Sequence, residues 1–355
     1  MTSAERVLLA LDHKEADRIA LQDGPWGTTV ARWHIEGLPE DVSPAEYFEF
    51  EFSGMGFDSS FRFEQELVEE TDEYRIERDG NGTVRKNWKH TVSTPEMIGF
   101  TVNTKELWEE HKERLAWDDS RVDWDNALEN NRAEVEKGKF VHFSCINGYD
   151  HSQAIVGSEE LLMAMVDSPE WIDEMMATWA DQIITAVEEM LSRGFHFDGA
   201  WAFNDMGYRN ALLFSPSLYR EMIYPHDKRM NDVFHSHGLP VILHSCGRVS
   251  SIVPDLIDAG FDCIQPLETK AGMDLIQLKK DFGDRLSFMG GIDVRKMADP
   301  DPSVIEEEIR TKLTIAKKDG GYIYHSDHSV PDDVSFPQYE RVIELVRKYG
   351  SYNGG

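Results

Sequence analysis

Residues 240–268, PVILHSCGRVSSIVPDLIDAGFDCIQPLE, contain a full repeat of the fold. Residues 240–244 are an apolar, β-rich run that stops at Ser245-Cys246-Gly247, which predicts a short buried strand. Residues 252–259 carry apolar side chains at helical spacing, and Gly260 closes them. Residues 261–266 begin the next strand. The same alternation runs from about residue 139 to the end of the chain. Strands are predicted at 140–146, 197–203, 240–244, 261–266, 286–290 and 322–324. Helices are predicted at 158–166, 169–193, 215–235, 252–259, 272–282, 303–318 and 337–349. Trp171, Ile172, Met175, Trp179, Ile183 and Val187 share one face of the longest helix, and Ser215 and Pro216 open the next as N-cap and first-turn residue. Six strand–helix units in a row predict a parallel sheet with its helices outside. A helix at 4–11 and a strand at 18–22 come before them. The expected architecture is a closed (β/α)8 TIM barrel formed by residues 1–355 as one domain. An open doubly wound sheet competes, but no Gly-rich GxGxxG follows any strand. Residues 70–92 break the pattern: Asp79-Gly80-Asn81-Gly82 between two alternating runs predicts an inserted β-hairpin. Residues 103–137 are highly charged and read as helix on the outer surface.

Composition narrows the function. Apolar residues are 41% of the 355, enough for a sizeable core and too many for general disorder. No apolar run approaches the ~20 residues that span a bilayer. The first eleven residues do not read as a signal peptide, so the cytoplasm is the expected location. Lys and Arg number 36 against 66 Asp and Glu, a formal net charge of −30. Nucleic acid and anionic membranes are therefore unfavourable partners, and a polycarboxylate would need a local basic pocket. Three cysteines, Cys145, Cys246 and Cys263, do not make a disulfide framework. Cys145 and Cys263 lie in apolar strand runs and read as small core residues.

In a parallel barrel the catalytic groups come from the C-terminal strand ends. Here those ends carry Asp23 and Trp26, Asn147 and Asp150, Asn204 and Asp205, His244 and Cys246, Glu268, Asp293, and His325, Asp327 and His328. Each also reads as an ordinary cap or turn residue, Asp150 and Asp293 most readily. His244-Ser245-Cys246 is the sharpest pattern. Alternate strand residues share a face, so imidazole and thiol point together at the barrel mouth. Zinc takes nitrogen and sulfur donors, and the last strand end offers His325, Asp327 or His328 as a third. A nucleophilic Cys246 with a histidine base is the other reading. Side chains that run parallel from one strand are poorly placed for proton transfer between them. Trp26, Trp33, Trp88 and Trp201 read either as an aromatic pocket for an apolar or methylated substrate or as core.

The order of motifs resembles the uroporphyrinogen decarboxylase superfamily. The matching segments are Asn147-Gly148-Tyr149-Asp150 with Ser168-Pro169-Glu170, Phe203-Asn204-Asp205-Met206 with Tyr224-Pro225, Leu243-His244-Ser245-Cys246-Gly247, and Gly290-Gly291-Ile292-Asp293. The resemblance implies a (β/α)8 barrel with its cleft at the C-terminal face. Porphyrinogen decarboxylases carry an Arg-rich segment after the first strand, where this chain has Gln22-Asp23-Gly24-Pro25-Trp26-Gly27. The similarity is closer to the cobalamin-dependent methyltransferase branch, whose members bind zinc through a His-x-Cys pair and a later cysteine. That implies one zinc ion on His244, Cys246 and, in place of the later cysteine, His328. Asp205 and Asp23 are then expected to shuttle a proton or orient substrate. Trp26, Asn147, Trp201, Asn204, Glu268 and Asp327 are expected to face it. The implied reaction moves a methyl group between a small methoxy or methylthio compound, or a thiol, and cobalamin on a separate corrinoid protein. The assembly is left open, a homodimer included. Two alternatives stand beside it: a metal-independent decarboxylase of a porphyrinogen or smaller acid, and a non-catalytic barrel that binds a ligand or the corrinoid protein.

Overall fold

Short apolar runs, most of them ended by a polar side chain, build the strands from Phe140–Ile146 to Tyr322–Tyr324, as expected of a sheet covered on both faces. The structure, a computed structural model, describes residues 1–90 and 94–352. Its strands in chain order are β1 (Ala20–Leu21), β2 (Phe52–Met55), β3 (Glu66–Glu70), β4 (Tyr74–Arg78), β5 (Val84–Trp88), β6 (Glu96–Gly99), β7 (Phe140–Ile146), β8 (Gly199–Phe203), β9 (Val241–His244), β10 (Cys263–Gln265), β11 (Ser287–Met289) and β12 (Tyr322–Tyr324). Eight of these lie in the order β1-β12-β11-β10-β9-β8-β7-β2, with every neighbouring pair parallel. At the open side the Glu51 N–H donates to the Leu21 carbonyl at 2.9 Å, drawing β1 and β2 together. Eight parallel strands with helices between them form the (β/α)8 barrel.

Period-2 alternation divides the apolar residues into two layers. Ala20, Phe140, Trp201, Ile242, Cys263, Met289 and Ile323 pack inside the sheet. Val7, Ala10 and Leu11 of the helix Ser3–Leu11 join that cluster, and Ser287 at the start of β11 donates to the Ala10 carbonyl, so this helix closes the N-terminal end. The outward residues pack against the helices in a larger cluster that includes Phe143, Leu243, Phe288, Ile172, Trp179 and Leu313. Two residues beyond the inner apolar layer, the inward positions become Phe203 after Trp201, His244 after Ile242, Gln265 after Cys263 and His325 after Ile323. Apart from Phe203, the barrel interior therefore turns polar at its C-terminal mouth.

Besides a helix at Gly27–Glu36 that was not predicted, three features differ from the sequence reading. Strand β2 was not predicted; it has four residues and includes Gly54, where a Cβ would come within 2.6 Å of the His142 ring. A helix, Gly148–Val156, starts directly after β7 and ends at Gly157, whose φ of +94° suits glycine. The single helix predicted at 215–235 is a short turn, a five-residue π-helical stretch at Tyr219–Ile223, and an α-helix at Tyr224–Ser236. Pro225 has no N–H to donate into the preceding turn, so the hydrogen-bond pattern shifts there.

The predicted hairpin is the centre of a larger insertion. β4 and β5 pair across Asp79-Gly80-Asn81-Gly82, and β3 and β6 extend them into a four-stranded antiparallel sheet. Asp79 Oδ1 holds the turn by accepting the N–H groups of Asn81 at 2.9 Å and Thr83 at 3.0 Å. Positions 91 and 92 of the predicted insertion, like 353–355 of the predicted domain, lie outside the described residues. Thr83 Oγ1 donates to the Ala154 carbonyl at 2.7 Å, which fixes the insertion to the helix after β7. Among the described residues no helix is long and apolar enough to cross a membrane.

Candidate metal centre

β8 and β9 pair in parallel with Phe203 opposite His244, so the residues just past their ends emerge side by side. Among the described residues, Asp205, His244 and Cys246 form a group of His, Cys and carboxylate side chains whose donor atoms all lie within 4.8 Å of one another. Cys246 Sγ is 3.4 Å from His244 Nε2, and His244 Nε2 is 3.5 Å from Asp205 Oδ1. The same Asp205 oxygen accepts the Cys246 backbone N–H at 2.7 Å, tying the loop after β8 to the loop after β9. Those loops touch at two glycines. A Cβ on Gly207 would come within 2.4 Å of the Cys246 carbonyl oxygen, and one on Gly247 within 2.4 Å of the Gly207 carbonyl carbon.

The surroundings set the resting charges. Burial lowers the His244 pKa, with Asp205 opposing it, so the imidazole is held neutral. Burial raises the Cys246 thiol well above its ordinary range, and Asp205 and Glu268 add to the effect. A neutral imidazole, a thiol that ionises only beside a cation, and a carboxylate suit zinc, which accepts N, S and O ligands. The cluster is reached from solvent: the Asp205 side chain is 41% exposed and that of His244 20%. A cavity of about 490 Å³ opens beside Cys246, lined by Gly207, Tyr208, Arg209, Gly247, Glu268 and Lys270. Another of about 560 Å³ is lined by Phe57, Asp58, Arg121, Ser144, Ile146 and Phe203. The Phe203 ring lies 5.1 Å from that of His244.

The remaining expected site residues divide between rim and scaffold. His328 is not in the donor cluster; its ring packs 6.1 Å from Trp26. The chain past β12 is tied down at each step. The Asp327 N–H donates to the Ile292 carbonyl at 2.8 Å, and Val330 exchanges backbone hydrogen bonds with Gly24 and Trp26. Ser326 Oγ holds the His328 carbonyl. These bonds carry His328 toward the loop after β1, while Asp205 is the side chain grouped with His244 and Cys246. Asp23 is enclosed, not facing the cleft. Its oxygens accept Tyr339 Oη at 2.7 Å, Gly24 N at 3.0 Å, Tyr324 Oη at 3.1 Å and the Ser326 hydroxyl. Trp201 belongs to the inner core beneath the mouth.

Other strand-end residues also serve the scaffold. Asn147 donates to Asp227 at 2.8 Å. Asn204 accepts the Asp150 N–H at 3.2 Å. Asp327 accepts the Thr269 and Val294 N–H groups, both at 3.0 Å. Glu268 accepts the Gly247 N–H at 2.8 Å and pairs with Lys270, so it lines the cleft and braces the Cys246 loop together. Asp293 is the N-cap of the helix Val294–Met297, and Cys145 and Cys263 are core residues as read. Asp150, its carboxyl raised to about 7 by burial and by Asp205, is tied through its N–H to Asn204. The sequence reading did not single out Gln265. It occupies an inward position beside His244, and a polar residue at such a position was the available signal.

Residues 152–349 match the family model for uroporphyrinogen decarboxylase (URO-D). An 80-residue segment is 34% identical to the methylcobamide:CoM methyltransferase MtaA of Methanosarcina barkeri; it spans 22% of this chain and 22% of that protein. Among solved structures, a methyltransferase from Methanosarcina mazei superposes over 98% of this chain and 99% of its own, with a TM-score of 0.66 at 14% identity.

Proposed function

This chain belongs to the uroporphyrinogen decarboxylase family, and from that premise we propose that it is a zinc-dependent methyltransferase. It moves a methyl group between a small methoxy or methylthio compound, or a thiol acceptor, and the cobalamin of a separate corrinoid protein. The observation that carries this reading is the N, S and O donor set of His244, Cys246 and Asp205 at the open mouth of the barrel. A decarboxylase of this fold would need a grip on carboxylates and has no use for a thiol beside an imidazole. The local likeness to a methylcobamide:CoM methyltransferase points the same way.

Each residue has a definable task. His244 would hold a zinc ion through Nε2, Cys246 through its sulfur and Asp205 through one oxygen, a three-ligand set of the kind catalytic zinc sites use. Bound zinc acts as a Lewis acid and lowers the pKa of a thiol or hydroxyl at that position. Two anionic donors balance a divalent cation, which makes the site less electrophilic than the His-Cys-His set expected from the sequence. Phe203 and Trp26 offer apolar surface to the group that carries the methyl. The exposed mouth is where a corrinoid partner must dock, because the methyl group has to reach cobalt directly. The decarboxylase alternative is weaker on one further ground: Asp23, one of its two candidate acids, is sealed off by tyrosines.

The test is elemental analysis of protein purified without added zinc, followed by methyl transfer from methylcobalamin to a panel of thiols and the reverse from methoxy compounds. About one zinc per chain is expected, with both metal and turnover lost in His244→Ala and Cys246→Ala. Full turnover in metal-free protein would reject the assignment.

A further inference from the structure

A chain of hydrogen bonds behind the cluster determines which nitrogen of His244 is free. It begins at a group with no choice of role: the Ser326 carbonyl can only accept, and His325 Nδ1 lies 2.7 Å from it. In neutral His325 the proton is then on Nδ1 and the lone pair on Nε2. Gln265 Nε2, which can only donate, lies 3.2 Å from that Nε2. This orients the Gln265 amide and turns its oxygen toward His244, where Oε1 is hydrogen-bonded to Nδ1. An amide oxygen accepts, so His244 carries its proton on Nδ1. Nε2 is left as a lone pair facing Cys246 and Asp205.

The geometry points to Gln265, oriented by His325, as the positioning residue that holds His244 in its metal-binding tautomer. Nothing else in the cluster can do this, because Cys246 and Asp205 both face the opposite nitrogen. Gln265 is 4% exposed and His325 7%, so water does not compete for these bonds. An outer partner that accepts the N–H of a ligand's second nitrogen fixes the ring and raises its basicity. The inference rests on the metal reading above, but its first step concerns the metal-free protein.

The experiment has two arms on the full chain. In the first, metal-free protein labelled with ¹⁵N-histidine is examined by two-bond ¹H–¹⁵N correlation, with His244 assigned by its missing signal in His244→Gln. The Nδ1–H tautomer is expected; the Nε2–H tautomer overturns the proposal whether or not zinc binds. In the second, zinc affinity is measured by competition with a chromophoric chelator. Gln265→Leu should weaken zinc roughly 10- to 100-fold, and His325→Leu several-fold, whereas Gln265→Glu, which keeps an acceptor in place, should stay within about threefold. Unchanged affinity in either Leu variant, or a loss in the Glu variant as large as in the Leu variant, also overturns it. Absence of zinc binding in the parent would instead reject the proposed function and leave the tautomer arm to be judged alone.

Discussion

Replacing Asp205 by Asn isolates its charge from its structural role. The amide oxygen can still accept the Cys246 N–H that Asp205 Oδ1 accepts at 2.7 Å, so the loop contact survives. Asp205 lies 3.5 Å from His244 Nε2, a separation longer than a Zn–O bond and so a conservative distance for its attraction to a cation held between them. A unit positive charge at that separation gains roughly 5 kcal/mol at an effective dielectric constant of ~20. The Asp205 side chain is 41% exposed, and solvent screening removes about half of this gain. The remaining ~2–3 kcal/mol corresponds to a zinc dissociation constant roughly 30- to 150-fold weaker. The assay is chelator competition at fixed pH and salt, with His328→Ala measured alongside. His328 sits on Trp26 outside the cluster, so its removal should change the affinity no more than about twofold. Zinc lost in His328→Ala and kept in Asp205→Asn would refute the assignment and restore His328 as the third ligand.

Other consequences follow from the same contacts. Gly207→Ala forces a Cβ to within 2.4 Å of the Cys246 carbonyl oxygen; a loss of about 1–3 kcal/mol, read by urea unfolding, should accompany weaker zinc binding. Asp23→Ala removes the acceptor of the buried Tyr324 and Tyr339 hydroxyls, so a loss of roughly 3 kcal/mol or more in stability is expected, with kcat per folded molecule largely kept. Burial raises the Asp227 carboxyl to about 7 although Asn147 and Tyr219 donate to it. The unfolded chain therefore ionises first, and the stability this carboxyl contributes is full below about pH 4 and is lost as pH rises toward 7, by at most about 1.4 kcal/mol per pH unit. Urea midpoints from pH 4 to 8 should show a steeper decline in the parent than in Asp227→Asn; parallel curves would contradict it.

The barrel was legible because most apolar runs end at a polar residue and most of the helices between them end at a glycine or begin at a cap. β2 escaped because its four residues include a glycine required by His142 and show no alternation. The helix Gly148–Val156 escaped because it follows β7 without a connecting loop. His244 and Cys246 could be placed on one face from period 2 alone. Asp205 was visible as a strand-end residue, but not as a donor, because that depends on β8 and β9 being neighbours in register. Spacing along residues 325–330 offered His328 as a donor but does not reveal that Ile292 and Gly24 hold that segment, which sets its ring beside Trp26. Gln265 is the residue period-2 reading could have found, since Cys263 faces inward and the next inward position on β10 is polar.

The central claim is that His244, Cys246 and Asp205 hold one cation at the barrel mouth. Its most direct test is the zinc-edge X-ray absorption spectrum of protein loaded with one equivalent of the metal. The expected spectrum shows a single sulfur at about 2.3 Å with nitrogen and oxygen donors at about 2.0–2.2 Å, and the sulfur shell disappears in Cys246→Ala. A zinc shell without sulfur, or one that Cys246→Ala leaves unchanged, would contradict the claim.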